Sequence, residues 1–373
     1  MKLRTLLVVS ILLASAVASA RPLLGAGPGQ SSDNVEHVAT IPLEVGTWVT
    51  GRIHGDYLYV NGNKSFSIFD ISDRLAPKLL SQTAVGTVNF VSEDPDTNGE
   101  ILLLSDERVR KVVQVWNVSD KRNPTLLAEV PDMLEHTMGC VLDCTWGYGP
   151  GGAIIDLRNP AKPVLANRWR APIQPGWGFD TQEVSPGRVI VSARTMHFFD
   201  ANVDPAHPTL LATATMPDNR VLHSAKWPRD GNDRFLLVQG ETSPKPQCDM
   251  LSGAFMTWDT EGWQSSKTFT PIDEFRVPAG TAIDGNPPVS SLGCSATWFQ
   301  EHPDFRNGGL VVGAYFDHGT RFLRVDRHGQ IEQVGYFTPA GGSTLSTLWA
   351  GKNIVYSIDI GHGIDILRFT DPI

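Results

Sequence analysis

Basic charge and long apolar runs are both scarce in this sequence. Lysine and arginine number 31 against 40 aspartates and glutamates, which gives a formal net charge of −9. No basic stripe with interleaved aromatics occurs, so we expect no nucleic-acid partner. After Ala20, no unbroken apolar run reaches the roughly 18 residues that a membrane-spanning helix needs. We therefore expect no membrane span once the N-terminal segment is removed.

Common catalytic signatures are absent as well. The chain has no G-x-S-x-G nucleophile elbow, no phosphate-binding glycine loop and no H-E-x-x-H pair. The chemistries that depend on these motifs are therefore poorly supported.

The N-terminus has the pattern of a secretion signal. Lys2 and Arg4 precede an apolar stretch at Leu6–Val17, and Ala18-Ser19-Ala20 resembles a cleavage site. We predict a signal peptide at 1–20, a flexible tether at 21–34 and one folded domain at 35–373, in a secreted protein. A short membrane anchor is the alternative for the first segment.

The folded part repeats one pattern, which is clearest at Tyr57–Val85. Two apolar runs flank the turn Asn61-Gly62-Asn63, the second run ends at Asp70, and a proline-bearing corner leads to a third run. Such runs between turn residues are typical of β-strands. The residues that end the second run of each copy are Asp70, Asn117, Asp156, Asp200, Asp259 and Asp326, with a truncated copy ending near Phe369.

An all-β repeat of roughly forty to sixty residues is typical of a propeller blade. The seven copies predict an all-β fold, a seven-bladed β-propeller of four-stranded blades. Val35–Val45 is a lone strand at one end, and Gly342–Phe369 offers only three strands at the other. We expect the N-terminal strand to complete the last blade, because an open ring would leave unpaired strand edges.

The copies resemble the LVIVD repeat, which is named for its apolar strand ending in Asp and is followed by a proline-bearing corner. The resemblance implies a propeller of the kind found in surface or secreted proteins. A distant likeness in fold to selenium-binding and methanethiol-oxidising propellers implies a histidine-lined channel, but no ligand residue of those proteins can be matched here.

Three residues are candidate metal ligands. Aligning the first strand of each blade places His136, Asp180 and His223 at one repeat position, in a solvent-filled funnel. Imidazole and carboxylate suit Zn, Cu or Fe. Affinity for such an ion should fall below about pH 6, because protonated histidine does not ligate. The alternative is that these polar groups only bind strand ends and ordered water.

Further titratable groups are expected near the same face, as outer partners of a metal or as ligand contacts. They are Glu107, Glu241, Asp317, His318, Arg194, Arg321 and His362. Each alone is more often a solvated turn residue, and their number in one region favours a functional face.

Four cysteines predict two disulfides in an exported protein. Cys140 and Cys144 bracket a tight turn, and Cys248 and Cys294 should open onto the same face of the propeller. Metal or thiol chemistry is the alternative for either pair.

Two hypotheses for function follow. The first is a monomeric binding module that takes a protein, peptide, glycan or small molecule on the polar face of its channel. The second is a metal-dependent enzyme, oxidase-like or hydrolase-like, with its metal at the channel mouth.

Overall fold

The computed structural model describes residues 29–42, 48–86, 92–171, 178–216, 221–241, 253–277, 293–360 and 363–372. The predicted signal peptide, most of the predicted tether, Cys248 and His362 lie outside these ranges.

The described residues form short β-strands and two single helical turns. The first strands are β1 (Gln30–Ser31), β2 (Val35–Ile41), β3 (Trp48–His54), β4 (Tyr57–Gly62), β5 (Ser65–Asp70), β6 (Lys78–Ala84), β7 (Asp96–Thr97), β8 (Ile101–Asp106), β9 (Val112–Asn117), β10 (Thr125–Pro131), β11 (Gly139–Val141), β12 (Trp146–Tyr148), β13 (Ala153–Asp156) and β14 (Val164–Arg168). The remaining elements are β15 (Gly178–Ser185), β16 (Arg188–Ala193), β17 (Thr195–Asp200), β18 (Thr209–Thr215), β19 (Val221–Lys226), α1 (Pro228–Gly231), β20 (Phe235–Glu241), β21 (Phe255–Asp259), α2 (Trp263–Ser266), β22 (Thr270–Phe275), β23 (Phe299–Glu301), β24 (Gly309–Ala314), β25 (Thr320–Val325), β26 (Ile331–Thr338), β27 (Thr344–Trp349), β28 (Ile354–Asp359) and β29 (Gly363–Phe369).

The strands form seven antiparallel sheets, which are the seven blades of a β-propeller. Blade 1 holds β3–β6, blade 2 β7–β10, blade 3 β11–β14, blade 4 β15–β18, blade 5 β19–β22, and blade 6 β23–β26. Blade 7 holds β27–β29 and takes β2 as its fourth strand. The predicted fold class is confirmed.

The ring closes as predicted. Strand β2 pairs with β29 from Val35↔Phe369 to Ile41↔Ile364. A feature that the sequence did not indicate is β1, which falls inside the predicted tether and adds a fifth strand to blade 6 by pairing with β26. Both ends of the folded chain are thus held by backbone pairing, which covers edges that would otherwise be exposed.

The repeated Asp or Asn has a local structural role. Its side-chain oxygen accepts a hydrogen bond from the backbone N–H two residues later, which starts the turn out of the third strand. The same bond forms at Asp70, Asn117, Asp156, Asp200, Asp259 and Asp326, at 2.7–3.0 Å. Asp and Asn are favoured there because they make this side-chain turn readily.

The hydrophobic core is divided among the interfaces between blades. Seven buried apolar clusters each lie between two neighbouring blades. One of them joins Leu58 and Val60 of blade 1 to Tyr356 and Ile364 of blade 7, so the first and last blades pack like any other pair. Because the apolar side chains pack between blades, polar groups can lie on the side of each blade that faces the channel.

The Cys140–Cys144 disulfide is present at the turn between β11 and β12. Because Cys248 is not among the described residues, its pairing with Cys294 stays a prediction. In the described part of the chain, no helix has the length and apolar character needed to cross a membrane.

Candidate metal site

The strand registers identify one equivalent position in several blades. The Asp or Asn that ends the third strand pairs with the first residue of the second strand. The residue two positions later on the second strand pairs in turn with a residue of the innermost strand. In blades 2, 3 and 5 these innermost residues are Asp96, Gly139 and Lys226. The residues three positions before these are Glu93, His136 and His223.

These three residues, which we call the histidine cluster, meet at one point. Glu93 Oε2 lies 3.1 Å from His136 Nε2 and 3.5 Å from His223 Nε2. One ligand atom from each residue falls within 4.8 Å of the other two. Blades 2 and 5 are not neighbours, so the contact between Glu93 and His223 is made across the channel.

The other ring nitrogen of each histidine is held by a hydrogen bond. His136 Nδ1 lies 2.9 Å from Glu107 Oε1, and His223 Nδ1 donates to the Thr297 carbonyl at 3.1 Å. These bonds fix both rings so that Nε2 faces Glu93. An imidazole whose second N–H bonds to a carboxylate or carbonyl is the usual arrangement of a metal ligand.

Both imidazoles are buried, with 3% and 0% of the surface of His136 and His223 exposed. We expected an open funnel, and the structure instead surrounds the cluster with aromatic rings. The Phe179 ring centroid lies 5.4 Å from that of His136 and 5.2 Å from that of His223. Trp298 lies 4.7 Å from His223 on the other side. The imidazoles are therefore shielded from bulk water, and charges close to them interact strongly.

The nearby carboxylates determine the protonation of the cluster. Burial by itself would lower the pKa of His136, but Glu93 and Glu107 outweigh it and raise that pKa to about 10. Burial likewise opposes the charge on His223, while Glu241 and Glu93 raise its pKa to about 9. Burial disfavours the Glu93 carboxylate, but the two histidines hold its pKa well below the usual range. Without a metal, the cluster is an ion-pair network of imidazolium and carboxylate groups.

Glu241 is a third acid at this point. Its Oε2 lies 2.9 Å from His223 Nε2, and its side chain is 19% exposed. His223 Nε2 nevertheless makes no hydrogen bond of good geometry with a described residue. That nitrogen faces the centre of the cluster, with Glu241 Oε2 at 2.9 Å and Glu93 Oε2 at 3.5 Å.

Asp180 does not join the histidines, because it lies one residue away from the equivalent position. On the second strands of blades 4 and 5, Ser192 and Gln239 lie the same number of residues after the residue that pairs with the repeated Asp. On the innermost strands, Ser192 pairs with Asp180, and Gln239 pairs with Ser224. The residue equivalent to His223 is therefore Phe179. Each lies in a register irregularity of its strand. A shift of one residue moves a strand side chain to the opposite side.

Asp180 belongs instead to a second group, which we call the arginine cluster. Gln182 Nε2 donates to Asp180 Oδ1 at 2.9 Å and to Asp94 Oδ2 at 2.8 Å. Arg52 pairs with Asp96 at 2.7 Å. Burial, together with the charge of Asp94, raises the pKa of Asp180 to about 7. Its Oδ2 has no hydrogen-bond partner among the described residues.

Of the further groups predicted around the site, Glu107 and Glu241 contact the histidines. Asp317 and His318 lie in the turn before β25, where His318 Nε2 is 3.2 Å from Cys294 Sγ. Arg321 lies under the Tyr336 ring at 5.1 Å, and burial lowers its pKa to about 10. Arg194 lies between β16 and β17, and His362 is outside the described residues.

Glu93 is the residue that sequence reasoning missed. It stands in the acidic segment Ser92–Asp96, which reads as a hairpin turn. Counting back from Asn117 through the strand pairing would have placed it opposite His136 and His223. Such a count requires the register of β7 with β8. Because β7 has only two residues, it has no apolar pattern from which this register could be inferred.

The comparison with known families agrees with the repeat. Residues 52–84 match the LVIVD repeat. This segment covers most of blade 1. No curated protein matches the chain.

Proposed function

We propose that this LVIVD-repeat propeller binds a divalent transition-metal ion through Glu93, His136 and His223 and uses it at the channel mouth. The observation that carries the proposal is the convergence of three ligand atoms within 4.8 Å, with both Nδ1 atoms held by other groups. Two imidazoles and one carboxylate suit Zn, Fe or Cu.

The spacing of the donors fits such an ion. Ligands at about 2.0–2.1 Å in tetrahedral geometry lie roughly 3.3–3.5 Å from one another. Glu93 Oε2 already lies 3.1 and 3.5 Å from the two Nε2 atoms. Binding would displace a proton from each imidazole, and the ion's charge would replace the two positive charges that the carboxylates now compensate.

Three protein ligands leave a coordination position open, as in catalytic sites. When bound, the ion would supply Lewis-acid chemistry. Glu241, 2.9 Å from His223 Nε2, is placed to hold or accept a proton beside it. These features favour a metal-dependent hydrolytic enzyme over a purely structural site. They also accommodate a binding module, since an open position can take a ligand without reaction.

We propose as well that the protein is exported. The leader-like segment at 1–20 supports this, and so does the Cys140–Cys144 disulfide, because such bonds persist in oxidising compartments. Mass spectrometry of the protein recovered from an expressing host should find a new N-terminus near Arg21 and an oxidised Cys140–Cys144 pair. Uncleaved protein with reduced thiols would contradict export.

Metal binding is tested with EDTA-treated protein titrated with Zn²⁺ and Cu²⁺ by calorimetry. Wild-type protein should take up one ion per chain, and E93Q, H136Q and H223Q should each lose it. The matched control is H207Q, because His207 is exposed and pairs with Asp204 far from the channel. Wild-type protein that binds neither ion, or variants that bind as the wild type does, would overturn the proposal.

A further inference from the structure

A cavity of about 450 Å³ lies on the outside of the ring, between the outer parts of blades 3 and 4. One wall follows β14 and continues through Trp169 and Arg170. The other is formed by β17 and by the turn and strand at 207–210. Because β14 and β18 are the outermost strands of their blades, the cavity is separate from the channel and from the histidine cluster.

Its floor consists of three rings that pack against one another. The Trp169 centroid lies 4.9 Å from that of His197 and 5.3 Å from that of Phe199, and His197 and Phe199 are stacked. The Trp169 Nε1–H donates to the Gly149 carbonyl at 3.1 Å, which fixes the indole. Leu210, half exposed, adds an apolar wall. The floor is rigid and suited to a flat or ring-shaped ligand.

The cavity is also positively charged. The Arg170 guanidinium lies 4.4 Å from the Trp169 ring centroid, and Arg168 lines the same wall. The nearest acid to Arg168 is Glu135, at 3.8 Å, which is too long for a hydrogen bond. Glu135 already accepts the backbone N–H groups of Gly151 and Ala153. Neither arginine therefore has a carboxylate in hydrogen-bonding contact among the described residues.

Three nitrogens of this wall and floor are buried without a hydrogen-bond partner in the described part of the chain. They are Arg168 Nη1, Arg170 Nε and His197 Nδ1. A buried donor without a partner is unfavourable, and more so when it belongs to a charged group. Burial also lowers the pKa of Arg170, although the charge of Glu135 opposes this shift. An anionic ligand in the cavity would compensate the positive charge of the two arginines.

A second arginine–tryptophan pair shows that the missing acid is particular to this cavity. Arg158 lies 5.3 Å from the Trp146 ring centroid, much as Arg170 lies over Trp169. Arg158 Nε, however, donates to both oxygens of Asp156 at 2.9 and 3.1 Å. Among the described residues, no carboxylate makes the same contact with Arg170: Glu135 lies 3.8 Å from the neighbouring Arg168, and Asp204 at the rim pairs with His207.

We propose that this cavity binds a small ring compound that carries a carboxylate. Arginine pairs with carboxylates through its planar fork, and the aromatic floor buries the ring. The volume of the cavity lies within the range of small-molecule sites, which is about 300–1,000 Å³. Two sources share this chemistry, aromatic acids and the uronic acids of acidic glycans.

The test uses benzoate and glucuronate as probes, with benzyl alcohol and methyl glucoside as their uncharged analogues. Binding is followed by saturation-transfer NMR titration in excess EDTA, so that a metal in the channel cannot capture the carboxylate. At least one acid should bind more than tenfold tighter than its analogue. R170M should weaken that acid at least tenfold, and the matched control R158M should leave it unchanged.

R170K keeps the charge but not the fork, so it should retain part of the affinity. If R170M melts well below the wild type, R168M tests the same cavity from the neighbouring position. The proposal is wrong if neither acid is preferred over its analogue, or if the arginine variants of the cavity bind the preferred acid as tightly as R158M does.

Discussion

Two clusters of mostly buried acids line the channel, and they face different bases. In the histidine cluster, Glu93 faces the imidazoles of His136 and His223. In the arginine cluster, the next acid in the chain, Asp94, lies with Asp96 beside the guanidinium of Arg52. Both acids lie in the segment just before β7, where Asp94 has a left-handed backbone (φ 45°), and the two side chains join different networks.

The base determines what each cluster can do. An imidazole gives up its proton near neutral pH and then offers a lone pair, so a metal ion can take the proton's place. A guanidinium keeps its charge and has no lone pair to offer. Burial opposes the charge of Arg52, yet Asp96 and Asp94 outweigh it and raise the pKa further. We infer that the arginine cluster is structural and that the histidine cluster can exchange its protons for a metal ion.

The largest effect is expected from removing the permanent base. R52Q leaves Asp94 and Asp96 without their cation, and a buried acid that has lost its partner costs about 3 kcal/mol or more in the free energy of unfolding. Chemical denaturation should show this loss, and added Zn²⁺ should not restore it. The control R158Q breaks an exposed pair with Asp156 and should change the stability much less. Equal losses in the two variants would remove the structural role of Arg52.

Zinc should stabilise the protein through the histidine cluster alone. An ion present at about 100 times its Kd adds about 2.7 kcal/mol to the free energy of unfolding. The gain should appear in the Tm of the wild type and of D180N, and it should be absent in H223Q. A gain of equal size in H223Q would place the ion elsewhere.

The same measurement should depend on pH. The raised pKa values of His136 and His223 stabilise the metal-free fold below about pH 6.5, the usual histidine value, and this contribution is lost as pH rises through about 9 and 10. Zinc must displace those protons, so its stabilising effect should increase between pH 6 and 8.5. The sequence suggested a lower limit near pH 6, and the carboxylates around the rings move the dependence upward. A zinc effect that is constant over this range would contradict the protonated cluster.

Smaller effects should separate the two acids that touch the histidines. E107Q weakens the bond that fixes His136 Nδ1, so Zn²⁺ affinity should fall about 10–100-fold. E241Q should cost less than about tenfold, because the Thr297 carbonyl still holds His223 Nδ1. Calorimetry on both variants measures the ratio. A larger loss in E241Q would identify Glu241 as a fourth ligand.

The smallest effect concerns Asp180. Its pKa is raised to about 7, so folding favours the neutral acid, and the fold loses stability as pH rises from about 4 through 7. D180N removes this dependence, so its free energy of unfolding relative to that of the wild type should be higher at pH 8 than at pH 5. If the stability difference between D180N and the wild type is the same at pH 8 and pH 5, Asp180 is ionised at little cost.

Much of the fold follows from the sequence, because its signals are local and repeated. Asp70 and its counterparts start the same turn in six blades, and each apolar run pairs with its neighbour along the chain. The closing strand was also predictable, since Val35–Ile41 lacks partners next to it and β29 lacks a fourth strand. The short pairing of Gln30–Ser31 with β26 was not, because two exposed residues carry no pattern.

The sequence alone determined the propeller, its closure, the Cys140–Cys144 disulfide and the pair of histidines. Each depends on spacing that repeats or on residues close in the chain. Only the tertiary structure decided that Glu93 and not Asp180 completes the cluster. Which acid faces the histidines depends on the strand register at two places. One is the two-residue strand β7 in blade 2, and the other is the register irregularity of β15 in blade 4. Neither register can be inferred from the pattern of apolar residues. The same holds for the protonation of His136 and His223, because it is set by Glu93, Glu107 and Glu241, which are distant in sequence and meet the rings only when the ring of blades closes.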